Sequence, residues 1–244
     1  MYEEQALDEL GRWKRKLMKR PSMTGRYAKN VQSKVNRFIP EKVHTVVTAS
    51  IKKTVEATLL GSEYTTKLQP ERASSLKECE EKVDVLTRTY RRTASIEGAG
   101  TGAGGILLGM VDFPLLLGIK IKFLFDTATA YGYDVRDYRE RLYVLRLFQL
   151  AFSEDEKRAE LLTRLEQWEE ERHQLPEEEE YLAHIDWKEF QIDYRDYIDL
   201  VKMFQLIPGF GAVVGAVANY KFLDLLSETA KNGYRLRWFQ AKSR

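Results

Sequence analysis

The glycine spacing closest to a phosphate-binding motif is Gly100-x-Gly102-x-x-Gly105, with Asp126 downstream at the distance of a ribose-binding acid. In a dinucleotide site those glycines make a tight turn between a strand and a helix, and the helix amides meet the pyrophosphate. Here the preceding LTRTYRRTASIE reads as helix, so the strand is missing and the motif is set aside. No Gly-Lys-Ser/Thr follows any glycine of this run, which removes a P-loop. His44, His173 and His184 are scattered without the spacing of metal ligands. Cys79 is the single cysteine and falls on an apolar stripe, the setting of an inert buried thiol rather than a nucleophile. The residues provide no catalytic set, and neither a cofactor nor a metal is expected.

Charge offers a different chemistry. The net charge of +2 hides a strong segregation. Residues 11–53 carry thirteen Lys/Arg against one acid, whereas residues 154–199 carry seventeen Asp/Glu against six Lys/Arg. Near the start, Arg12, Lys14, Arg15, Lys16, Lys19 and Arg20 surround Trp13; near the end, Arg235 and Arg237 flank Trp238. Basic helices carrying an aromatic side chain suit the surface of an anionic membrane. The competing reading is that these cations meet the acidic block inside the protein. Nucleic acid is not expected, because no reading helix or stacking sheet is recognisable.

Two small-residue runs stand between these blocks. Residues 98–119 hold seven of the fifteen glycines and one charge, Asp112; residues 207–217 repeat the theme as IPGFGAVVGAV. Gly98/Gly102, Gly105/Gly109 and Gly211/Gly215 have the four-residue spacing that lets helix backbones approach closely. The first run is long enough to span a bilayer, but about −4.5 kcal/mol from its large apolar side chains is offset by about +3 kcal/mol from Asp112. A helical hairpin packed in protein or at an interface is therefore expected over a true span. Gly100, Gly102, Gly105, Gly109, Asp112, Pro114, Pro208, Gly211, Gly215 and Asn219 are the candidates for hairpin packing or for the lining of a pocket.

Helical periodicity positions all of these residues. Leu7, Leu10, Trp13 and Leu17 form one stripe, stopped by Pro21; Tyr27 to Phe38 form a second. Val43, Val47, Ile51, Val55 and Leu59 form a third, closed by Gly61. Ser75 and Glu78 read as a capping box before the next helix, and Ser153 and Glu156 as a second. Asp112-Phe113-Pro114 reads as a helix start, as does Asp134. Further helices are expected from Asp186 to Phe204 and from Ala212 to Gln240. One echo links the halves: Lys122-Phe123-Leu124 precedes Gly132-Tyr133, and Lys221-Phe222-Leu223 precedes Gly233-Tyr234.

The expectation is an all-α chain, one compact multi-helix domain over residues 1–244 with two glycine-rich helical hairpins at its centre. A basic layer occupies 1–61, the hairpin core 73–152 and 186–240, and an acidic insertion 153–185. The N-terminal residues carry no apolar signal segment, so a cytoplasmic position is expected, at the inner face of the cell membrane.

The ordered set ELGRWKRKLMKRPS, NRFIPEKVH, GAGTGAGG with VDFP, YGYD, DYRDYIDL, and IPGFGAVVGAVANYKFLD with GYRLRWF resembles the EcsC family of bacterial proteins. The resemblance covers nearly the whole chain. It implies a cytoplasmic accessory protein associated with a membrane or an ABC transporter, and it implies no catalytic residues. Gly100, Gly102, Asp112, Pro114, Gly132, Pro208, Gly211 and Asn219 match its motifs. The function expected is a non-catalytic accessory role peripheral to the membrane, with an anionic surface or a transporter subunit as partner. The alternative is a lipid or small-molecule binding module, or an enzyme acting on such a molecule, with a bound lipid in a pocket beside the glycine-rich segments.

Overall fold

The computed structural model describes residues 1–19, 41–60, 75–101, 105–153, 157–184, 186 and 214–243. Among them the secondary structure is helical, with no strand element. The helices are α1 (Tyr2–Met18), α2 (Glu41–Leu60), α3 (Leu76–Thr101), α4 (Gly105–Ala130), α5 (Tyr138–Phe152), α6 (Arg158–Glu166), α7 (Trp168–Arg172), α8 (Glu178–His184) and α9 (Val214–Ser243). The helix predicted over Tyr27–Phe38, the one predicted from Asp186 to Phe204 apart from Asp186 itself, and the closing Gly61 lie outside the described residues.

Apolar composition decides which helix is central. α4 is apolar on most of its circumference, and Leu117, Ile121, Phe123, Leu124 and Phe125 are buried. α2 lays Val47, Ile51, Val55 and Leu59 against it, as the periodicity predicts, and also packs on α5. α3 packs on α4 from one side and meets α9 on another face. The long α9 therefore touches α3, α4, α5 and α1, and serves as the spine of the molecule. α1 lies across α9 and also touches α3 and α6.

Helix ends follow local chemistry, with three departures from expectation. The Ser75 hydroxyl accepts from the Glu78 amide at 3.2 Å, opening α3 as predicted. Ser153 instead closes a helix: its hydroxyl donates to the Leu150 carbonyl at 2.9 Å at the end of α5. Its expected partner Glu156 is outside the described residues. α5 begins not at Asp134 but at Asp137, whose carboxylate accepts from the Arg139 amide at 2.9 Å; Asp134 instead pairs with Arg136 in the turn before it. Asp112 and Pro114 do not start a helix either, because α4 is already under way from Gly105 and carries Pro114 internally. Proline lacks the N–H that bonds four residues back, and a helix tolerates that loss where packing holds it. Gly132 takes φ 84° in the turn after α4, where the Gly132 and Tyr133 amides close on the Thr129 and Ala128 carbonyls at 2.9 and 3.0 Å.

Part of the acidic stretch is paired with the core, although Glu177, Glu179 and Glu180 stay exposed. Arg139, Arg141 and Arg146 of α5 pair with Glu177, Glu178 and Glu171, fastening α7 and α8 to the core. Lys14 of α1 pairs with Glu166 of α6. Part of the charge segregation in the sequence is thus spent inside the fold.

Candidate functional site: a basic cleft between the first and last helices

α1 is amphipathic, with Ala6, Leu10 and Trp13 buried and its cations outward. Glu3 and Glu4 in the first turn and Arg15 and Lys16 in the last complement its dipole. Along its contact with α9, Glu9, Arg12, Trp13 and Lys16 face Glu228, Lys231, Asn232 and Arg235 across a cleft of about 360 Å³. Each set follows the i, i+3, i+4, i+7 spacing of one helix face. The helices run antiparallel: Glu9 pairs with Arg235 at 2.9 Å, and Lys16 pairs with Glu228 at 3.4 Å. Each face reads acid, base, flat side chain, base. Four cations and two carboxylates therefore share the cleft.

The floor is built more firmly than the rim. Arg235 grips Glu80 of α3 in a bidentate pair at 2.7 and 2.6 Å, and Tyr2 donates to the same carboxylate at 3.0 Å. Burial disfavours the charged guanidinium, but Glu80 and Glu9 outweigh it and raise the Arg235 pKa further. Burial beside the Glu80 charge pushes the Tyr2 phenol up to about 12. Glu9 is pushed up by burial and pulled down by hydrogen bonds from Gln5 and Arg235, and the net position is below the usual carboxylate range. Lys231 pairs with Asp84 at 2.5 Å. A set of this kind receives an anion with more than one acceptor oxygen.

The fold separates the residues singled out by sequence. Arg12, Lys16, Trp13 and Arg235 come together in this cleft, with Trp13 buried as floor rather than displayed as an anchor. Arg15 is exposed on the rest of α1 and Lys19 just past its end, and Lys14 faces Glu166. Arg237 is turned away: it is 1% exposed and bonded to Glu140 and Glu169. Trp238 donates from Nε1 to Glu3 at 3.1 Å, tying the end of α9 to the start of α1. Arg20, Gly102, Pro208 and Gly211 lie outside the described residues. Gly100 is in α3, Gly105, Gly109 and Asp112 in α4, and Gly215 and Asn219 in α9, with their surroundings outside what is described.

Pro114 lines a second concavity, a groove of about 740 Å³ between α3 and α4. Leu86, Leu115 and Ile119 contribute most of its apolar wall, and Tyr90, Lys122 and Asp126 stand together in it. Lys231 and Asn232 in the cleft, and Tyr90 and Lys122 in the groove, were absent from the sequence-predicted set. Lys231 was legible as one more cation in the basic ending; Tyr90 was visible only as the end of an apolar stripe. Cys79 is fully buried, and burial pushes its thiol up to about 11, as an inert structural cysteine requires. Among the described residues no His, Cys, Asp and Glu gather into a set able to hold a metal ion, and no helix is long and apolar enough to cross a membrane.

The chain belongs to the EcsC protein family, which it matches over residues 4–239. It is 49% identical over 231 residues to Protein EcsC of Bacillus subtilis (strain 168), covering 95% of this chain and 94% of that protein. It is 28% identical over 214 residues to the uncharacterized protein YdbA of the same organism, covering 85% of this chain and 78% of that one. No solved structure matches it.

Proposed function

We propose that this chain is a non-catalytic accessory protein that attaches peripherally to the cytoplasmic face of a membrane, alone or against a transporter subunit. The α1–α9 cleft is the contact for an anionic phosphate headgroup. One observation carries this reading: Arg12, Lys16, Lys231 and Arg235 converge on one concavity of headgroup size, where Glu9 and Glu228 stand in the lining and Glu80 and Asp84 hold Arg235 and Lys231 from outside it. The exposed Arg15 and Lys19 extend the same positive field along α1. Each cation near an anionic leaflet contributes on the order of 1 kcal/mol, and the field fades within about a Debye length.

Vesicle flotation tests it. The protein is expected to float with phosphatidylglycerol vesicles, to stay behind with phosphatidylcholine vesicles, and to be released at about 1 M salt, where the Debye length is about 3 Å. Substituting Arg12→Gln together with Lys16→Gln weakens flotation about tenfold or more with the fold intact. Equal absence from both vesicle types sinks the reading. A second reading, an amphiphile-binding module, is favoured by the groove at Pro114, whose apolar wall and compact polar cluster fit the pattern of small-molecule sites of roughly 300–1,000 Å³.

A further inference from the structure

The polar cluster in the α3–α4 groove is ordered in a way that selects a ligand. Asp126 is buried and its acceptors are used: the Tyr90 hydroxyl donates to Oδ2 at 2.6 Å, and the Lys122 ammonium reaches both oxygens at 3.1 and 3.3 Å. Burial, with Asp126 alongside, raises the Tyr90 pKa well above the ordinary phenol value, so Tyr90 stays protonated and donates inward. Lys122 differs from both. Its side chain is 44% exposed against 7% for Asp126. An ammonium has three donors, and among the described residues only the Asp126 oxygens occupy them. What the cluster shows to an incoming molecule is therefore a positive N–H, with the negative charge hidden behind it.

The rest of the groove is mostly apolar; Thr89 and Thr93 also line it, with their hydroxyls turned to the Val85 and Thr89 carbonyls of their own helix. Leu86 and Ile119 form half-buried walls, Gly118 lies buried in the lining, and Pro114 and Leu115 form an exposed rim. Leu115 is 56% exposed, a large apolar side chain kept at the surface beside the opening. A long apolar wall with one cation presented from it complements a molecule with one chain and one negative charge.

We infer that the α3–α4 groove holds a long-chain carboxylate, its tail along Leu86, Leu115 and Ile119 and its carboxylate on the Lys122 ammonium. The inference rests on the amphiphile-binding reading and adds the class of ligand and the residue that reads its head. A single exposed ammonium matches a single charge, which favours a carboxylate over a doubly charged phosphate monoester. Asp126 is a positioning residue, since it fixes the Lys122 side chain and does not meet the ligand.

Fluorescence titration of the full chain with the fatty acid cis-parinarate tests it, using displacement by palmitate, methyl palmitate and lysophosphatidylglycerol. Saturable binding with palmitate at least tenfold stronger than methyl palmitate is expected. Lys122→Gln removes that difference while methyl palmitate keeps its affinity. Leu115→Glu, at the exposed rim where folding is not at stake, weakens palmitate tenfold or more; Ile119→Trp, checked for unaltered melting, blocks every chain. No binding of any of the three overturns the amphiphile reading itself. Binding in which methyl palmitate equals palmitate, or lysophosphatidylglycerol surpasses it, leaves that reading standing and overturns the carboxylate. Binding untouched by Leu115→Glu and Ile119→Trp places the ligand elsewhere and overturns both.

Discussion

Arg235 and Arg237 sit two residues apart on α9 and face opposite chemical worlds. Arg235 closes the floor of an open cleft, sharing Glu80 with Tyr2 below and Glu9 at the rim. Arg237 is sealed between α5 and α7. Its guanidinium bonds Glu140 at 2.5 and 2.9 Å and Glu169 at 2.5 Å, and lies 3.7 and 4.8 Å from the ring centres of Tyr133 and Tyr143. Arg172 closes on Glu140 from the far side at 3.2 Å. An advance of two residues turns a helix by more than half a circle, so one sequence pattern sets one buried guanidinium in the floor of a cleft and the other against α5 and α7. On the function proposed above, the cleft is where charge meets a partner. The Arg237 cluster is where charge has been consumed by the fold.

The largest effect should come from the sealed side. Arg237→Met leaves Glu140 buried with a weaker set of partners, and removing one member of a buried pair costs about 3–5 kcal/mol. Urea unfolding followed by circular dichroism measures this. Adding Glu140→Leu to the same chain recovers part of the loss, because the buried Glu140 charge is removed with its partner while Glu169 keeps Arg172 at 3.8 Å. A loss below about 1 kcal/mol, the range of exposed pairs, would erase the contrast between the two arginines.

How much of this was written locally in the chain follows from which interactions are local. The stripes Val47–Leu59 and Leu76–Val83 fixed helices because periodicity needs only a few turns of sequence. Pro114 misled because Asp-Phe-Pro is a good helix start, and only the packing of α4 against α2, α3 and α5 overrides it. Both aromatic-basic termini looked alike as composition, yet Trp13 is floor and Arg237 is core. Their partners Glu80 and Glu140 lie 155 residues from Arg235 and 97 residues from Arg237, and no local rule reaches that far. A weak sign was present: Glu80 borders the apolar stripe Leu76–Cys79–Val83, and Glu140 stands between Tyr138 and Leu142. The two tyrosines of the Gly-Tyr echo, Tyr133 and Tyr234, stack at 5.3 Å. Its glycines differ, however: Gly132 supplies a left-handed turn, while Gly233 lies inside α9.

Gly233 sharpens the comparison at intermediate cost. It stands just before the two arginines and brings α9 against α5, where its carbonyl accepts from the Tyr143 hydroxyl at 2.7 Å. A Cβ there would run into the Leu147 Cδ2 methyl and stand 3.3 Å from the Tyr143 oxygen. Alanine improves helix propensity, but overpacking of this kind costs more, and Gly233→Ala is expected to lower stability by about 1–2 kcal/mol. Vesicle flotation should be unchanged, because the cleft lies on the other side of α9. A parallel loss of flotation would show that cleft and core move together.

The smallest effect belongs to the rim. Glu9 is 37% exposed, so its pair with Arg235 is discounted by solvent to about 0–1 kcal/mol. Its pKa is lowered in the folded chain, after burial is outweighed by Gln5 and Arg235. A carboxyl lowered on folding adds stability that is present above its unfolded pKa of about 4.3 and is lost as the pH falls through the folded value. Glu9→Gln should therefore melt slightly below the wild type near pH 7, and the difference should vanish by about pH 3. The same substitution removes one of the two carboxylates opposing the cations of the cleft, so flotation on phosphatidylglycerol vesicles should strengthen while stability weakens. That opposition of signs is what an approachable site produces and a sealed one does not. If Glu9→Gln costs as much as Arg237→Met, or weakens flotation, Arg235 is core charge like its neighbour and the cleft is not a place where a partner binds.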